Sequence, residues 1–308
     1  MRDTKAIIEG ALITAIFVVF FLICFYIPPL SLIGVFFWPL PLMFYTAKRG
    51  LKLGLTVFLA SAVLTLLFTH ILSVFGAAIF LVIGLVMGYM IHLRKSAFAI
   101  LTAGSLAAIL SIVSYYGILV SFFQMDPIKE IVNSAIHFSH EAEKWGPIAA
   151  EKEWQTYRES LTLLPTLTPM ILTVSGIGLT FIVQLVSAPI IRRLGISFPK
   201  WPPFRDWTLP QSLIWYYFIT LAILIFGGLE NGQPLFMFVF NVFEILEMAM
   251  LLQGITFIFY FFYTKGTAVA VPILLSVIGV LFPFTLYIIR ILGIIDLGIG
   301  LRARIRKQ

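Results

Sequence analysis

Charge is what this sequence has least of. Asp, Glu, Lys and Arg make up 11% of its 308 residues, against about 25% in an ordinary soluble chain, too few to cover a water-facing surface. Cysteine is nearly absent. The one residue, Cys24, lies in an apolar run, which excludes an intrachain disulfide framework or a cysteine-based metal site. Only four histidines occur, His70, His92, His137 and His140, and none has a catalytic neighbour. HExxH, Gly-rich phosphate loops and Ser/His/Asp arrangements are all missing. The chain therefore reads as a non-enzyme with no cofactor.

Apolar residues fill the space that charge leaves. They make up 60% of the chain, 30 residues are Phe, and the mean hydropathy is +1.04. Those values exclude a disordered chain. At roughly 20 apolar residues per crossing there is room for about eight to ten membrane segments. The expected fold class is an all-α polytopic membrane protein. The net charge of +7 would suggest nucleic acid in a soluble protein. Here the basic residues stand in short clusters between apolar runs: Lys48, Arg49 and Lys52, then Arg94 and Lys95, then Arg192 and Arg193 extended by Lys200 and Arg205. That is the positive-inside pattern, so the partner implied is a lipid bilayer and not nucleic acid.

The spacing predicts spans at about 6–26, 32–45 (short, with Pro39 and Pro41), 53–69, 73–91, 97–123 and 163–191. The first has no cleavage-site pattern and reads as an uncleaved span. With the N-terminus cytoplasmic, all three basic clusters fall inside and the acidic stretch between the fifth and sixth spans falls outside. That stretch, Asp126 to Glu159, carries seven acidic and four basic residues. Asp126-Pro127 is a good helix start, and the apolar spacing after it predicts an amphipathic helix. The organisation expected is a six-span unit at 1–195 with an extracytoplasmic segment at 126–160. A Trp/Pro-rich connector at 196–210 follows, with Trp201 and Trp207 suited to the interface, and then membrane helices at 211–308 with a basic tail, Arg302 to Lys307. After spans at about 212–229 and 234–263, residues 267–301 form either one crossing or a hairpin bent at Pro283. Only the hairpin returns the basic tail to the cytoplasm, which is the side preferred.

Three sets of residues carry candidate roles. Ala11 and Ala15 share one face of the first span, and small residues four apart let another helix approach closely, within the chain or from a partner. Asn241, Glu244 and Glu247 share an arc near the middle of a span, where an ionised carboxylate must be paired, protonated or beside water. They form either an ion or solute site or a polar lock, with Arg290 as the counter-charge and Glu244 the carboxylate at matching depth. His137, His140 and Glu141 have spacing that could gather a metal, but no further ligand is at hand, so no metal site is assigned.

Glu9-Gly10-Ala11-Leu12-Ile13-Thr14-Ala15-Ile16, Pro41-Leu42-Met43 running into Gly50–Gly54, and Gly84-Leu85-Val86-Met87-Gly88 resemble stretches of the S components of energy-coupling-factor vitamin transporters. That resemblance implies a six-helix solute-binding core, with the Ala11/Ala15 face docking a coupling protein and a separate ATPase supplying energy. The whole chain resembles the YybS-like family of bacterial membrane proteins through Pro199-Lys200-Trp201-Pro202, Leu252-Gln253-Gly254, and Leu292-Gly293-Ile294-Ile295-Asp296 followed by Arg302. The resemblance implies a multi-pass protein of the bacterial cell membrane with extra C-terminal helices, and it names Gln253, Gly254, Gly293, Asp296 and Arg302 as the family-like set. Two functions follow as expectations. One is a solute-binding transport subunit for an unspecified small molecule. The other is a non-transporting scaffold or regulator of other membrane proteins.

Overall fold

The computed structural model describes residues 2–144, 151–230 and 232–305, and all secondary structure among them is helical. Parts of the expected outer segment (145–150) and basic tail (Arg306 and Lys307) therefore lie outside the described residues. The helices are α1 Arg2–Tyr26, α2 Pro28–Gly34, α3 Pro39–Arg49, α4 Leu51–Phe68, α5 Ile71–His92, α6 Ala97–Phe122, α7 Pro127–Lys144, α8 Glu151–Thr162, α9 Thr168–Arg193, α10 Ser212–Phe226, α11 Pro234–Thr264, α12 Ala270–Leu281, α13 Pro283–Ile299 and α14 Leu301–Ile305. Among the described residues, seven runs are long and apolar enough to cross a bilayer: Thr4–Tyr26 of α1, Pro28–Arg49, α4, α5, α6, α9 and α11. The bent pair α12–α13 could supply an eighth, and α10 is a shorter apolar helix. This is a polytopic all-α membrane protein.

The chain divides into two compact units, one of Met1–Ile131 with Ile171–Lys200, the other of Val132–Met170 with Trp201–Gln308. Residues 132–170 thus group with the C-terminal helices, whereas the sequence reading placed the outer segment with the N-terminal ones. The physical tie is Asn241. Its amide donates to the Thr166 carbonyl at 2.8 Å and its carbonyl accepts from the Met170 N–H at 2.8 Å.

In the first unit, α5 packs against α3, α4 and α6, and α1 packs on α3 and α4. Lipid offers no hydrophobic drive for this, so close backbone approach and van der Waals contact must hold the helices together. Gly84 and Gly88 supply the approach: a Cβ at either would press on the main chain of α3, at Pro39 and Met43 respectively. On α1 the packed face is Gly10, Thr14, Phe17 and Phe21, tied to α3 by the Tyr45 hydroxyl, which donates to the Ala6 carbonyl at 2.8 Å. Glu9 accepts from Arg49 at 2.6 Å and from Lys48 at 3.1 Å. Ala11 and Ala15 are exposed. Of the two alternatives for this pair, packing within the chain is not made, because the smaller Gly10 turns toward Tyr45 and Val57 instead.

Asp126 caps α7 by accepting from the Lys129 N–H at 3.2 Å, and it also accepts from the Tyr116 hydroxyl at 2.9 Å. Burial alone would raise its carboxyl pKa. The Tyr116 and Lys129 hydrogen bonds and the Lys129 charge outweigh that and hold it below the ordinary value.

In the second unit, α13 lies along α11, with α10 and α12 also against α11. Of the two alternatives for 267–301, the structure shows no straight helix: the chain bends at Pro283, where α12 and α13 meet at 118°. Phe282 is extended (φ −105°, ψ 122°) and Pro283 opens the next helix. Proline lacks the N–H that would bond four residues back, and the Thr285 hydroxyl instead donates to the Gly279 carbonyl at 3.0 Å. Side chains at Gly254 and Gly293 would collide with the Ile289 and Met250 carbonyls, so two helix backbones touch there.

Two outcomes are expected. Gly254→Ala or Gly293→Ala should push α11 and α13 apart and destabilise the protein by ~1–3 kcal/mol as overpacking, measured by denaturant unfolding in detergent; unchanged stability would contradict the close approach. Because the Asp126 pKa is depressed on folding, its stabilisation is present above the ordinary value of 3.8 and lost as pH falls through the lower folded value. Hydrogen exchange at the Lys129 amide should accelerate in that acid window beyond its intrinsic pH dependence. Asp126→Asn, which keeps an oxygen acceptor, should remove that excess.

Candidate functional site

In the first unit a cavity of about 410 Å³ opens where α1 ends, α5 begins and α6 nears its end. These are the helix ends remote from Lys48, Arg49, Arg94 and Lys95. Its lining is aromatic: Phe21, Phe25, Trp38, His70, Phe80 and Tyr115, with Gly76 and Ala77. Trp38 is held between Phe21 (4.7 Å between centroids) and Phe80 (5.0 Å). Its Nε1 is buried and has no acceptor among the described residues. A buried donor left unmade costs about 1–3 kcal/mol. His70 bonds Ser73 at 2.6 Å and stands edge-on to Phe25. A Cβ at Gly76 would meet only the Tyr115 hydroxyl, at 3.9 Å. Among the described residues, no carboxylate, lysine or arginine lines this space. It suits an apolar or aromatic solute with at least one hydrogen-bond acceptor. Sequence reasoning missed it, because its aromatic residues are scattered over four segments and each looks like a lipid-facing side chain.

In the second unit, Asn241, Glu244 and Glu247 do three different things. Asn241 brackets the backbone at Thr166 and Met170. Glu247 pairs with Arg290 of α13 and accepts from the Tyr217 hydroxyl of α10 at 3.2 Å. Glu244 is half-buried, with no hydrogen bond or ion pair among the described residues. The lock with Arg290 is therefore made by Glu247, where the depth argument chose Glu244. Three residues along a helix amount to less than one full turn back, about 60° of arc, which is enough to give the two carboxylates different neighbours. Tyr217, on α10, carried no sequence signal for this role.

The family-like residues do come together. Gln253 donates to Asp296 at 2.5 Å and accepts from the Leu209 N–H at 3.0 Å. Asp296, 4% exposed, also accepts from Arg302 Nε at 2.9 Å. The other Arg302 nitrogens reach the Arg205 and Trp207 carbonyls, at 2.8 and 2.9 Å, and the Thr256 hydroxyl at 2.8 Å. One guanidinium thus fastens α11, α13 and the connector. Just along the helices, Gly254 and Gly293 allow the backbone contact described above.

Glu247→Gln should destabilise the protein by ~3 kcal/mol, because it leaves Arg290 inside the helix group without its counter-charge. Adding Arg290→Met should restore part of that loss, whereas Glu244→Gln should cost less than about 1 kcal/mol. Additive single and double variants in detergent unfolding would show that the pair is not coupled.

Comparison with known proteins agrees with this architecture. The chain is 29% identical over 316 residues to "Uncharacterized protein YybS" of Bacillus subtilis (strain 168), covering 99% of this chain and 100% of that one. No solved structure matches. A family described as "Predicted membrane protein (DUF2232)" matches residues 15–297, nearly the whole chain, and so takes in the aromatic cavity and the Glu247–Arg290 pair. The protein belongs to the DUF2232 family of membrane proteins.

Proposed function

We propose that the protein is a solute-binding subunit of a membrane transport system, similar to an S component, and that it carries no catalysis of its own. The observation behind this reading is the aromatic cavity of the first unit with the orphaned Trp38 N–H. Protein cores rarely leave a buried donor unmade, and a bound solute offering an acceptor would complete it. With the N-terminus and basic clusters cytoplasmic, the cavity lies at the extracytoplasmic end, where a solute would arrive. The exposed Ala11 and Ala15 give a separate coupling protein a close approach to α1, and energy would come from a partner ATPase. A scaffold would use the same α1 face, but it gives no role to the cavity.

The test is purification from native membranes with extraction of bound small molecules. The wild type should carry a solute. Gly76→Phe, which fills the cavity, should abolish it, and Trp38→Phe should reduce occupancy by about tenfold through loss of one hydrogen bond. The stability of empty Trp38→Phe protein is measured alongside, since the change removes an unmet donor but also trims a ring packed on Phe21 and Phe80. Ala15→Leu should leave the protein folded but release any co-purifying partner. Repeatedly empty wild-type protein, with no partner, would overturn the reading.

A further inference from the structure

Arg205 stands apart from the other well-placed cations of the second unit. Arg290 and Arg302 each have a carboxylate, but the Arg205 guanidinium has no acceptor among the described residues. It lies flat on the Tyr263 ring, 3.6 Å from the centroid. Its main chain is fixed, because its own carbonyl and that of Trp207 accept from Arg302, which Asp296 and Thr256 hold in turn. The neighbouring Phe204 ring packs edge-on to Phe259, 5.1 Å between centroids. A cavity of about 210 Å³ opens here, lined by Phe204, Arg205, Phe259, Tyr263, Thr267 and Pro272.

An arginine stacked on a ring keeps its in-plane donors free, and that fork matches two oxygens of a phosphate. The position sets the rest of the ligand. Tyr263 lies in the last turn of the membrane-spanning α11, Lys265 follows it exposed, and Trp201 and Trp207 stack nearby at 5.0 Å. Trp, Tyr, Lys and Arg gathered at a helix end mark the headgroup level of a bilayer. Val269, which also lines the cavity, and Ile273 one turn further on are exposed apolar side chains. They offer a surface for acyl chains. We propose that this cavity binds the phosphodiester headgroup of an anionic phospholipid, with Arg205 as the phosphate ligand and Lys265 adding charge.

The test uses the full chain in detergent, with native mass spectrometry after addition of phosphatidylglycerol or phosphatidylcholine. The wild type should retain phosphatidylglycerol preferentially. Arg205→Gln should lower that retention about fivefold, the worth of one basic residue at an anionic surface, and Arg205→Lys should recover only part of it because the planar fork is lost. Folding of each variant is checked by its melting temperature in phosphatidylcholine nanodiscs, which should match the wild type, since Arg302 grips only the Arg205 main chain. In phosphatidylglycerol nanodiscs the wild type should melt higher and Arg205→Gln should not. Equal retention of both lipids, or wild-type retention by Arg205→Gln, would overturn the proposal. Displacement of phosphatidylglycerol by excess inorganic phosphate would overturn it in favour of a soluble anion.

Discussion

Lipid cannot hydrogen-bond, and the arrangement of this chain follows from that constraint. Every polar group at membrane depth must find its partner inside the protein. At the Pro283 break the carbonyl left free at Gly279 is taken by the Thr285 hydroxyl. Arg290 finds Glu247 and Tyr217 closes on the same carboxylate. Arg302 distributes its donors over Asp296, Thr256 and two main-chain carbonyls. Helices also meet through glycine, as α3 meets α5, and α11 meets α13 through both devices. Together the two devices replace the hydrophobic drive that a soluble core would have.

Against that background, two unmet groups that stand beside cavities carry information. Trp38 has a buried donor without an acceptor beside an aromatic cavity. Arg205 has a free fork beside a cavity at a helix end. One site asks for an acceptor and offers no charge; the other offers a positive charge. They belong to different units and suit different ligands, a solute and a lipid.

The elements legible from sequence were those with a local signal. Apolar run length located the spans, and Pro28, Pro127 and Pro283 each sit where a helix starts. The family resemblance around Gln253, Gly293, Asp296 and Arg302 named residues that the structure brings together. Partner choice was not legible. Glu244 and Glu247 look alike in sequence, and only the placement of α10 and α13 separates the paired carboxylate from the unpaired one. The Ala11/Ala15 pair stayed undecided for a similar reason: small residues occur on both faces of α1, and the sequence does not say which face turns toward Tyr45. The cavity aromatics were hidden among many aromatic residues facing lipid. Long-range packing decides such questions, and it leaves no periodicity to read.

The backbone contact at Gly254 and Gly293 also has a mechanical consequence. With no side chain between the two main chains, α11 and α13 cannot slide past each other without lifting a carbonyl out of its seat. They must travel as a single beam. Compliance in that part of the second unit is then concentrated at Phe282, where the regular helix is interrupted and one hydroxyl spans the gap. A load applied to the beam would swing α12 about that joint and leave the beam unbent.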